Sequence, residues 1–181
     1  MRIDDDPVIW RENDDPTAPL LVLLHGIGSH EGDLFSLVPL LPPHLAVASL
    51  RAPLSMPQGG HAWFELAFDP MGRPLYRAEQ VDESAAAILE WVQANRGEHR
   101  SVGLLGFSQG AAMALRTTLL DTQAVQALVM LSGLLPFGEA TECPDGPPTF
   151  VAIGDHDQVI GERSVCLLYT SDAADDSLRV D

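Results

Sequence analysis

Apolar residues in this chain fall into short unbroken runs, separated by longer segments in which they recur every third or fourth position. The runs are Leu20-Leu21-Val22-Leu23-Leu24, Leu45 to Leu50, Ser101 to Gly106, Val125 to Leu131 and Thr149 to Ile153. Runs of this length, bounded by Gly, Pro or polar residues, predict strands buried on both faces. Val8 to Arg11 reads as a short edge strand. Ala78 to Asn95 carries Val81, Ala85, Ile88, Leu89 and Val92 on one helical face, with Gly97 just past its end. Gln109 to Leu120 is an Ala-rich helix, and Asp33 is placed to cap a helix reaching about Leu41, where Pro42-Pro43 stops it. Strands alternating with helices predict an α/β fold, a mostly parallel sheet flanked by helices. Arg51 to Arg77 fits neither period. It is rich in Pro and Gly yet carries Leu54, Met56, Trp63, Phe64, Leu66 and Phe68, and a long apolar loop of this kind points to function.

Composition narrows the picture. The 181 residues suffice for one domain, and no repeat or linker divides them. No apolar run reaches the roughly 18 residues of a membrane span. Met1 to Asp6 is polar and acidic, without the charged and apolar regions of a signal peptide, so a cytoplasmic protein is expected. The net charge of -16 argues against nucleic acid and anionic membrane as partners, because the long-range field repels both. Cys143 and Cys166 have no metal-ligand spacing and form no disulfide framework, and no cofactor or metal is expected.

The tail breaks this pattern. Cys166 to Asp175 reads as the in-frame translation of a transposase sequencing-library adapter, and Arg179-Val180-Asp181 fits the adapter's next constant stretch. The expected organisation is therefore an incomplete domain over 1–165 and a non-native tail over 166–181. Taking away the tail's four acids and one base moves the net charge from -16 to -13, still clearly acidic.

Three segments carry chemistry. Gly106-Phe107-Ser108-Gln109-Gly110 stands between a strand and a helix. A sharp strand-to-helix turn lifts the Ser108 hydroxyl clear of the sheet and sets it at a helix N-terminus, where developing negative charge is favoured. Acyl transfer also needs N–H donors aimed at the tetrahedral oxyanion. One is expected from Gln109. The other is expected from Ile27, in the His25-Gly26-Ile27-Gly28 turn after the first core strand. His25 itself reads as structural. The third segment, Gly154-Asp155-His156-Asp157, follows a strand and offers a carboxylate to orient a catalytic imidazole. Asp157 is the better candidate, since Asp155 is placed to fix the turn.

These segments, with Arg51-Ala52-Pro53, Trp63-Phe64 and Leu131-Ser132-Gly133, resemble the phospholipase/carboxylesterase family of α/β-hydrolases, which includes bacterial carboxylesterases and acyl-protein thioesterases. The resemblance implies an α/β-hydrolase fold, Ser108 as nucleophile, Asp157 as triad acid, and Ile27 and Gln109 as oxyanion donors. Trp63 and Phe64 would line the acyl pocket or serve as plain core aromatics. The expected partner is a small-molecule ester, of a short or medium acyl chain or a lysophospholipid or thioester, with a homodimer left open. The departure is the catalytic His. The family places it on a loop after one more strand beyond the acid, and no His follows Asp157. His156 adjoins Asp157 and cannot reach between it and Ser108. The chain is thus expected to lack its general base, along with the last strand and helix, leaving a sheet edge prone to aggregation. The alternative is a non-catalytic binding protein on the same fold.

Overall fold

The computed structural model describes residues 1–71, 73–99, 101–133 and 146–154. The first strand, β1 (Ile9–Arg11), is followed by β2 (Leu20–Leu24), a short helix α1 (Gly32–Phe35), and β3 (Ala46–Leu50). Two small hairpins follow, β4 (Leu54–Ser55) with β5 (His61–Ala62) and β6 (Ala67–Phe68) with β7 (Pro74–Leu75). Then come α2 (Ala78–Asn95), β8 (Val102–Phe107), α3 (Gln109–Leu120), β9 (Ala127–Leu131) and β10 (Thr149–Ala152).

The described residues form a six-stranded sheet in the order β1-β3-β2-β8-β9-β10. Only β1 runs antiparallel, pairing Ile9 with Ser49 and Arg11 with Val47. The remaining neighbours are parallel, with Leu24 beside both Leu50 and Gly106, and Phe107 beside Leu131. This is the mostly parallel, helix-flanked sheet of an α/β-hydrolase.

The two-residue period of the strands sorts their apolar runs onto two faces. Leu20, Val22 and Leu24 of β2, with Ala46, Ala48, Leu50, Val102 and Leu104, join the larger core under α2 and α3. Leu23, Val47, Leu34 and Val38 form a smaller cluster on the other face, with Leu21 and Leu105 against it. Helix α2 has the predicted bounds, and Val81, Ala85, Ile88 and Val92 are buried as expected, whereas Leu89 is half-buried. Gly97, at φ 51°, ends it in the left-handed region.

The helix expected from Asp33 to Leu41 is a correction. It forms only as Gly32–Phe35, then a separate 3₁₀ turn at Val38–Leu40. Pro39 is the cause, since it has no N–H to offer the Phe35 carbonyl. Glu31 occupies the N-cap, and Asp33 lies in the first turn, where its carboxylate accepts from Ser29 Oγ at 2.6 Å.

Candidate active site

Parallel pairing brings the turns after β2, β3, β8 and β9 to one edge of the sheet, the carboxyl edge where open α/β sheets place their ligands. Ser108 is the single residue between β8 and α3, at φ 52° and ψ −115°. Only Gly reaches that backbone region without strain, so holding a Ser there costs about 1–3 kcal/mol. The flanking glycines make the turn buildable. A side chain on Gly106 would overlap the Gly110 carbonyl, and one on Gly110 would overlap the Leu24 and His25 carbonyls. Ser108 N–H donates to Leu131 O at 2.9 Å, while its own carbonyl accepts from Ala111 and Ala112. Its hydroxyl makes no capping bond to the helix that it starts.

The turn after β2 abuts this residue. A Cβ on Gly26 would lie 3.5 Å from Ser108 Cβ and 3.1 Å from the Phe107 ring. Among the described residues neither the Ile27 N–H nor the Gln109 N–H has a hydrogen-bond acceptor. These two backbone donors, in turns that meet at Gly26 and Ser108, are candidates to receive an oxyanion.

His25 is fully buried, and both ring nitrogens are engaged. Nδ1 donates to Gly26 O at 2.7 Å, and Nε2 accepts from the Ala52 N–H at 3.1 Å. Burial pushes its pKa below the usual imidazole value, only partly offset by the bond to Gly26. It joins the ends of β2 and β3 as a neutral strut. Glu31 and Arg51 brace the same two ends through a bidentate ion pair. The hydrogen bonds from Arg51 hold the Glu31 carboxyl down at about 2 against the opposing effect of burial.

A cavity of about 370 Å³ opens beside the turn, lined by Ile27, Leu54, Met56, Phe64 and Leu66 among others. Phe64, expected as a pocket residue, does line it. Trp63 is not among the lining residues: it is fully buried, with its indole N–H on His25 O at 2.8 Å and its ring 5.5 Å from the imidazole. Asp157 lies outside the described residues, and so does His156.

Sequence reasoning missed how the segment Trp63 to Glu65 is held. It forms no sheet, yet its buried backbone groups are satisfied by side chains. Gln109 takes the Trp63 N–H at 2.9 Å and donates to Phe64 O at 2.8 Å. Ser84 donates to Trp63 O, and Gln80 accepts from the Glu65 N–H at 2.8 Å. The available signal was the presence of polar Gln80 and Ser84 on the otherwise apolar face of α2.

The arrangement defines a class, an α/β-hydrolase with a serine turn at the carboxyl edge of its sheet. Residues 5–165 match the phospholipase/carboxylesterase family, and the chain belongs to it. An uncharacterised hydrolase of Mycosarcoma maydis is 34% identical over 104 residues, which span 53% of this chain and 40% of that protein. Among solved structures, a carboxylesterase from Mesorhizobium loti has a TM-score of 0.68 at 25% identity, covering 83% of this chain and 72% of its own. The Zea mays acyl-protein thioesterase 2 has a TM-score of 0.72 at 25% identity, with 89% and 83% covered. The Bacillus cereus carboxylesterase, at 20% identity and a TM-score of 0.76 over 89% and 76%, shares the fold. These likenesses are to carboxylesterases and a thioesterase, and the chain matches two fifths of the length of the Mycosarcoma maydis relative. No helix among the described residues is long and apolar enough to cross a membrane.

Proposed function

We propose that the protein's fold and site serve the hydrolysis of carboxylic esters of short or medium acyl chains, with thioesters and lysophospholipids as close variants, through a Ser108 acyl-enzyme. Ser108 Oγ attacks the acyl carbonyl, and the Ile27 and Gln109 N–H groups receive the oxyanion. Collapse expels the alcohol or thiol, and water then releases the acid. In a complete triad an imidazole takes the Ser108 proton and returns it to the leaving group, and Asp157 is assigned to orient that imidazole; the strand leading toward it, β10, ends beside Leu131 at the same sheet edge. One observation carries this reading above the others: the strained Ser108 backbone, φ 52° at the head of α3, against a turn with an open N–H. The Leu54, Met56, Phe64 and Leu66 side of the cavity beside Ile27 supports an acyl group as the occupant.

We propose further that no imidazole of this 181-residue sequence stands as the base: His156 adjoins Asp157, four others are engaged or far from Ser108, and His61 is decided by the test below. His25 has both nitrogens engaged, and His99 donates to Ala18 O before β2, at the opposite edge of the sheet. His44 precedes β3 at that far edge too, and His30 Nδ1 accepts from the Gly32 N–H. Turnover is then expected about 10⁴ to 10⁶ below that of a complete triad. The test is p-nitrophenyl butyrate hydrolysis with and without added imidazole, with Ser108→Ala as the blank. Ser108-dependent turnover that appears only with imidazole is the expected result. Robust turnover without it would sink the missing-base proposal, and its loss in His61→Ala would assign the base to His61, whose Nδ1 is buried and unpartnered among the described residues.

A further inference from the structure

The two N–H groups assigned to the oxyanion belong to different turns, separated in sequence by most of the sheet. A circuit of hydrogen bonds through the loop after β3 connects the two turns. Gln109 is 2% exposed, and its amide clamps the Trp63 N–H and the Phe64 carbonyl from a position 45 and 46 residues away. Trp63 in turn donates its indole N–H to His25 O, the carbonyl just before Gly26. Two residues upstream, His61 exchanges backbone hydrogen bonds with the same turn. Gly28 N–H donates to His61 O at 2.8 Å, and His61 N–H donates to Ser29 O at 2.8 Å. Gly60 packs so closely on the Gly28 carbonyl that a side chain there would overlap it. Segment 60–64 therefore grips the Gly26–Ser29 turn at three points, and Gln109 grips segment 60–64. The outer side of that segment, through Ala62 and Phe64, is wall of the cavity.

We propose that the Gln109 side chain is a positioning residue: through Trp63 and Phe64 it sets the Ile27 N–H in register with the Gln109 N–H and couples both to the cavity wall. The proposal rests on the assignment of those two donors to the oxyanion. The backbone N–H of residue 109 survives any substitution, so a variant here removes the clamp and leaves the donor in place. A buried amide that loses both bonds leaves the Trp63 N–H and Phe64 carbonyl without partners, which loosens the segment rather than the sheet.

Amide hydrogen exchange followed by mass spectrometry reads the coupling without requiring turnover. Gln109→Leu is expected to raise exchange about tenfold in peptides covering 61–66 and also in those covering 26–29, with β1 and β3 unchanged. Faster exchange confined to 61–66, with 26–29 at the parent rate, would overturn the proposal. Gln109→Glu guards against a variant that simply fails to fold. Its carboxylate can still accept from Trp63 N–H but has no proton for Phe64 O, whereas the protonated acid has one. The ratio of variant to parent exchange in 26–29 is therefore expected to be high at pH 8 and to fall toward one as the pH drops through the carboxyl's titration, about 4.3 for a free Glu and higher for a buried one. A ratio that ignores pH would contradict the clamp. Labelling of Ser108 by an alkyl fluorophosphonate in imidazole buffer adds the functional readout, expected to slow about tenfold or more in Gln109→Leu. Equal labelling rates alongside altered exchange would remove the link to the oxyanion. Absence of label in the parent would count against the proposed function, and the exchange arm would still decide the positioning.

Discussion

At φ 52° and ψ −115°, the Ser108 backbone is held where a glycine would rest more easily. Ser108→Gly is expected to relieve about 1–3 kcal/mol of strain and to lose about 0.5–1 kcal/mol to the freer unfolded chain. The net gain of about 1 kcal/mol should raise the melting temperature by roughly 2–4 °C, measured by thermal denaturation. A melting temperature that falls would mean that the turn stores no strain. Gly110→Ala should do the opposite, because its methyl would press on the Leu24 and His25 carbonyls, which belong to the central strand and its turn. A loss of at least about 2 kcal/mol is expected in urea denaturation. Ser108 and its glycines were legible because the pentapeptide is local: strand, turn and helix follow one another in sequence. The Gln109 side chain was not, since its role depends on partners brought from 45 and 46 residues away. Asp157 rests on its turn and on the family resemblance, and is a proposal.

Elements show the same division between local and distant causes. Helix α2, strand β2 and helix α3 have the bounds that their periodicity predicted, because each buries a continuous face. The helix after Gly32 is shorter than predicted, because one Pro inside the apolar pattern outweighs the pattern. The Trp63–Glu65 segment has no period to read, as side chains of α2 and α3 replace the strand partner it lacks. Between β2 and β3, the Glu31–Arg51 pair binds two turns that carry the site. Its Arg is 38% exposed, so solvent screening trims the pair, and Glu31→Gln is expected to cost about 1–2 kcal/mol. The Glu31 carboxyl lies near 2 in the folded protein against 4.5 for the free group, so its stabilisation is whole above about pH 4.5 and is lost as pH falls toward 2. Urea midpoints measured across that window should therefore decline less steeply in Glu31→Gln than in the parent.

For the molecule as a whole, acid is the vulnerable direction. His25 is buried neutral with its pKa lowered, so the unfolded chain takes up a proton there first, and stability declines as pH drops below the ordinary imidazole range. Glu31 adds its loss at lower pH. The fold class was legible because alternating strands and helices leave few architectures, and the parallel sheet puts every site turn at one edge. The proposed chemistry turns on Ser108 as the nucleophile. Incubating the protein with a fluorophosphonate in imidazole buffer and locating the adduct by peptide mass spectrometry tests it most directly. The adduct should fall on Ser108 and vanish in Ser108→Ala. An adduct on another residue, or none where Ser108 is intact, would contradict the account.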